Sequence, residues 1–96
     1  MALRASVSRS ITAENQFSDT LKLDKGDKAS ISISSTAISA TLHVQRQMDG
    51  TNWRDVKSYT ADAEETYEAD EACEIRIGCK TGNFTSATGL NVRLGV

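Results

Sequence analysis

The sequence predicts an all-β fold: a compact antiparallel β-sandwich, jelly-roll-like, of seven to eight short strands behind an N-terminal arm. Three observations carry that expectation. Apolar and polar residues alternate with period two over most of residues 17–96, and turn-forming residues interrupt the alternation at short intervals. No stretch carries the helical period that would link parallel strands through a crossover. The chain has 96 residues, six glycines and no proline, which makes one domain. A domain this short buries only about 60–65% of the surface its unfolded chain exposes, so its core is small.

The elements follow in chain order. "MALRASVSRSITAE" (1–14) is Ser-rich and weakly patterned. It is read as an arm that becomes ordered against a neighbour, with the sandwich domain at 15–96. Its interface candidates are the apolar Leu3, Val7 and Ile11 and the charged Arg4 and Arg9. "FSDTLKL" (17–23) places Phe17, Leu21 and Leu23 on one side, with Asp19 as an exception, and "KGDK" is a turn at Gly26. "ASISIS" (29–34) turns Ala29, Ile31 and Ile33 inward. "ISATLHV" (38–44) sends Ile38, Ala40, Leu42 and Val44 inward and Thr41 and His43 outward. Asp49-Gly50 signals a hairpin, and "WRDVKSYT" (53–60) is the returning strand. "ETYEA" (65–69) is a short strand, and "CEIRIGCK" and "LNVRLGV" close the fold. The alternation predicts a core of Ile31, Ile33, Leu42, Val44, Ile75, Ile77, Val92 and Leu94. "TADAEETYEADEA" has helix-forming residues, but only Tyr67 as a large apolar one, so a helix there would have almost nothing to bury.

Charge and composition narrow the function. A net charge of −2, with eleven Lys and Arg scattered along the chain, argues against nucleic-acid binding through bulk electrostatics. No apolar run approaches the roughly 20 residues that span a bilayer, so no membrane association is expected. The first 17 residues lack the apolar segment of a secretory leader, and the sequon at Asn83 is then expected to stay unmodified. Cys73 and Cys79 point to the same face of one strand, about 20 Å apart. They are therefore read as reduced core residues beyond disulfide reach.

Catalysis finds little support. His43 is the single histidine, and no serine stands in a nucleophile motif. The glycines lack phosphate-loop spacing, and neither a close zinc site nor an EF-hand can be assembled. No cofactor is expected. The acidic run "DAEETYEADEACE" is read as a solvated loop; Glu64, Glu65, Glu68, Asp70 and Glu71 are its candidates for docking a basic neighbouring surface, such as the arm of an adjacent copy. Trp53 is read as a scaffold residue, buried or partly buried under the hairpin, with a ligand platform or an interface anchor as the alternatives.

With these pieces in place, "DGTNWRDV" after an amphipathic strand, and "RIGCKTGNFTS" before a closing "VRLGV", resemble small β-sandwich virion structural proteins of tailed bacteriophages. The resemblance covers residues 17–96. It implies a non-enzymatic protein made in the host cytoplasm and built into the virion, in many copies related by symmetry. Capsid decoration is the first role it suggests, with the major capsid or connector protein and further copies of itself as partners. A neck or tail accessory is the alternative within that class. A small carbohydrate-binding module using Trp53 is the alternative outside it.

Overall fold

The computed structural model of the chain describes residues 5–47 and 52–96. They form strands only: β1 (Ser6–Ser10), β2 (Gln16–Phe17), β3 (Leu21–Leu23), β4 (Lys28–Ser34), β5 (Ala37–Gln47), β6 (Arg54–Tyr59), β7 (Ala63–Glu68), β8 (Cys73–Thr88) and β9 (Asn91–Gly95). One sheet has the order β1-β9-β4-β7. The other runs β2-β8-β5-β6, with β3 also pairing with β8. Every pairing is antiparallel.

Taking β2 and β3 as one interrupted strand leaves eight, and their pairing is nested. The first pairs with the last (β1–β9), the second with the seventh (β2/β3–β8), the third with the sixth (β4–β7) and the fourth with the fifth (β5–β6). Rolled into two facing sheets, this is the jelly-roll order. Alternation builds the core as expected. Ile31, Ile33, Leu42, Val44, Ile75, Ile77, Val92 and Leu94 are all buried, joined by Ile11, Leu21, Leu23, Ala29, Ala69 and Leu90. Cys73 and Cys79 are buried on the same inner face, opposite Leu23 and Leu42. The turn expected at Gly26 is present: Gly26 has φ +89°, and the Asp27 amide donates to the Asp24 carbonyl at 3.0 Å.

Three expectations need correction. Residues 6–10 are not an arm. They pair with β9 from Ser6↔Gly95 to Ser10↔Asn91, and Ile11 lies in the core at 1% exposure. No boundary therefore falls at residue 14; the sandwich begins with β1. The link to β2 is fastened too, since Gln16 Oε1 accepts the Thr12 amide at 2.7 Å and Glu14 accepts the Gly82 amide at 2.6 Å. Next, residues 17–23 do not form one strand. The chain breaks at Ser18–Thr20, where the Ser18 hydroxyl accepts the Ile77 amide that a strand carbonyl would otherwise take. Phe17 consequently faces outward while Leu21 and Leu23 face the core.

Strand β8 is long at 16 residues, because "TGNFTSAT" continues "CEIRIGCK" against the first half of β5 through two register shifts. Trp53 is half-buried, within the expected burial or partial burial, and stands outside the core cluster. The Asp49-Gly50 turn before it, like Leu3 and Arg4, lies outside the described residues.

Candidate functional site

The outer face of the β2-β8-β5-β6 sheet carries the densest polar and aromatic grouping among the described residues. Register assembles it. Gln45 on β5 stands between Arg76 on β8 and Asp55 on β6, forming one cross-strand row. The next row holds Ser58, His43, Gly78 and Phe17. Trp53 leads into β6 beside them.

Arg76 is the centre of this face. Its guanidinium carbon lies 4.1 Å from the Phe17 ring centroid and 4.3 Å from that of Trp53. The strand order brings Phe17 from the β2 side and Trp53 from the β6 side, so rings from two different strands contact one cation. Such contacts contribute about 0.5–2 kcal/mol each, more as water is excluded. Arg76 Nε donates to Gln45 Oε1 at 3.0 Å, and Gln45 Nε2 donates to Asp55 Oδ1 at 2.9 Å. Lys80 Nζ donates to Asp55 Oδ2 at 2.8 Å. Gln45 is only 7% exposed, so this chain of hydrogen bonds is built into the surface rather than hung from it.

Electrostatics separate the two ends of the chain. Lys80 first and Gln45 second hold the Asp55 carboxyl below its ordinary range. Partial burial lowers the Arg76 guanidinium, and no carboxylate offsets it. His43 Nε2 is 3.9 Å from Asp55, and its buried Nδ1 has no hydrogen-bond partner. His43 thus lies on the outer face as expected, but half-buried.

Gly78 explains how β2 approaches. A Cβ there would overlap the Gln16 carbonyl oxygen and the Phe17 Cα. Only glycine lets the backbone of β2 come this close and Phe17 cross toward Arg76.

The acidic candidates do not form one patch. Glu64 and Glu68 lie on the outer face of the β1-β9-β4-β7 sheet, opposite Ser32 and Lys28. Glu65 points to the flank between the sheets, where the Tyr59 hydroxyl donates to it at 2.6 Å and Lys57 lies at 3.5 Å. Tyr59 and Lys57 hold the Glu65 carboxyl low, and burial with Glu65 nearby raises the Tyr59 phenol. Asp70 is 2.8 Å from Arg46, which also donates to the Tyr67 hydroxyl and closes one end of the core. Glu71 is exposed at the following bend. On β1, Val7 packs against the core, and Arg9 reaches across the rim to donate to the Phe17 carbonyl at 2.9 Å.

Comparison with known proteins returns no match: no family model, curated protein or solved structure aligns with the chain. What the site can do must come from its chemistry. Among the described residues, no three His, Cys, Asp or Glu side chains are placed to hold a metal ion. Burial raises both thiols, which suits packing rather than nucleophilic attack. The outer face instead offers two rings, a held guanidinium and an amide–carboxylate–ammonium chain. This is the chemistry of recognition. The sequence concealed it because Phe17, Trp53 and Arg76 are far apart in the chain and belong to no motif. The one local hint was Gly78 within an otherwise apolar alternation.

Proposed function

We propose that the protein is a non-enzymatic virion structural component that binds a partner protein through the outer face of the β2-β8-β5-β6 sheet, with capsid decoration as its role. The observation that carries this reading is Arg76 held against Phe17 and Trp53 on a sheet face rather than in the core. Trp and Arg dominate the binding energy of protein interfaces when they are pre-positioned. Three of the four sheet edges support contact less well: β1, β6 and β7 each turn a charged side chain inward, Arg9, Lys57 and Glu65, while the β2/β3 edge turns none. Inward charges on edge strands oppose strand addition by another chain. The closing strand β9 is no open edge either, since it lies between β1 and β4. The jelly-roll order and the likeness to small virion sandwiches support the virion assignment within this reading.

The test is occupancy on otherwise complete particles. Phe17→Ala, Trp53→Ala and Arg76→Ala should keep a cooperative melting transition yet leave particles largely undecorated. Wild-type occupancy for all three folded variants would remove the proposed face from the assembly.

A second reading has one observation in its favour: Trp53 is at the surface beside Gln45 and Asp55, as a sugar platform requires. Trp53-dependent binding on a glycan array, without particle occupancy, would select it.

A further inference from the structure

We infer that the free edge of Arg76 receives a carboxylate, supplied by an acidic side chain of the partner protein; this rests on the face-binding reading above. The carboxylates nearby have partners of their own, cationic for Asp55 and Asp70 and a neutral amide for Glu74. Asp55 is shared by Lys80 and Gln45, Glu74 accepts from Gln47, and Asp70 is held by Arg46. Arg76 is half-buried, ordered by three neighbours, and pairs with no carboxylate among the described residues. Its Nε is committed to Gln45, and its two Nη groups donate to no acceptor there.

A guanidinium taken partly out of water without a counter-charge is costly to the isolated fold. Burial as the dominant influence on Arg76 agrees with that position. The cost becomes useful when binding delivers the missing charge, because the cation is already oriented and partly dehydrated.

Geometry selects the ligand. With two ring centroids within 4.3 Å of the guanidinium carbon and Nε committed to Gln45, the Nη edge is the part of Arg76 left to receive an anion. A carboxylate is planar and accepts both N–H bonds in the guanidinium plane. A tetrahedral phosphate would push oxygens out of that plane. The adjoining Asp55 carboxylate also disfavours a doubly charged ligand. No bond is made or broken; the event is a bidentate, charge-assisted contact beside two rings. An aspartate or glutamate on the surface of a partner protein meets this description, and the interface would exclude water around it.

The experiment titrates isotope-labelled, full-length protein with N-acetylglutamate methylamide at fixed ionic strength and neutral pH, following Arg76 Nε and the Trp53 indole by NMR. Parallel arms use the glutamine counterpart, inorganic phosphate and glucuronate. The glutamate probe should give saturable shifts at both resonances in the millimolar range, and the glutamine probe should give none. In Arg76→Lys, which keeps the charge but not the fork, binding should weaken at least tenfold. Equal response to the glutamine probe, or no saturable shift, overturns the inference without needing any variant. Tighter binding of phosphate overturns the choice of a carboxylate, and tighter binding of glucuronate overturns the protein source. Particle occupancy separates the two levels. If the probe binds but Arg76→Ala still decorates particles fully, the face-binding reading falls and the carboxylate site stands. If occupancy is lost but no probe binds, the reverse holds.

Discussion

Leu42 and Trp53 show how unequally single side chains contribute. Leu42 is 0% exposed between the sheets, so Leu42→Ala should cost about 2–5 kcal/mol in urea denaturation. Trp53 stands outside the core and contacts Arg76, so Trp53→Ala should cost only about 1–2 kcal/mol, far less than a buried tryptophan. A loss of about 4 kcal/mol would return the indole to a scaffold role. Gly78→Ala should be the harshest small change. Its methyl would meet backbone rather than a movable side chain, and β2 should detach with a cost of about 3 kcal/mol. Asp55 makes a pH prediction. Its folded carboxyl titrates below the ordinary unfolded value of about 3.9, so its stabilisation is fully present above that pH. The stabilisation is lost as pH falls through the lower folded value. Wild type should therefore lose more stability than Asp55→Asn between pH 5 and pH 2. The pair is about 40% exposed on both sides, so the difference should be small and shrink in high salt.

Strand β1 is where the reading of the sequence and the structure part most clearly, and the reason is physical. Its inward face is Val7, Arg9 and Ile11, and its outward face is Ser6, Ser8 and Ser10. The alternation is therefore present, but a charge occupies its middle inward position. On an edge strand that charge can leave sideways, as Arg9 does toward the Phe17 carbonyl. The strands with uninterrupted apolar alternation, β4 and β9, were legible because no rim is available to them. The break at Ser18–Thr20 was marked by Asp19, which violated the alternation on either side of it. The recognition face was not legible, since register alone brings Gln45 beside Arg76 and Asp55. Removing residues 2–12 should expose the β9 edge and empty the place of Ile11. The truncated protein should melt at least several degrees lower and aggregate faster on heating, measured by calorimetry and light scattering. An unchanged transition would restore the arm.

Nested pairing makes the molecule cooperative as a whole. The first strand closes on the last and the second on the seventh, so most contacts join distant parts of the chain. Long loops must close before these contacts form, which places folding in the millisecond-to-second range. Trp53 fluorescence and far-ultraviolet circular dichroism should report the same urea midpoint, because the recognition face draws on β2, β5, β6 and β8 together. An earlier fluorescence transition would mean that the face opens before the sandwich. The two broad faces differ in kind. Opposite the aromatic and charged face, the β1-β9-β4-β7 sheet displays Ser6, Ser8, Ser10, Ser30, Ser32 and Ser34 together with Arg93, Lys28, Glu64 and Glu68.

The inward charges of Arg9, Lys57 and Glu65 therefore govern how copies behave when crowded side by side. They oppose pairing along the β1, β6 and β7 rims, whereas the β2/β3 rim turns Gln16, Leu21 and Leu23 inward and has no such charge. The two broad sides would meet such neighbours differently, one through rings and a held guanidinium and the other through serines interspersed with Lys28, Glu64, Glu68 and Arg93.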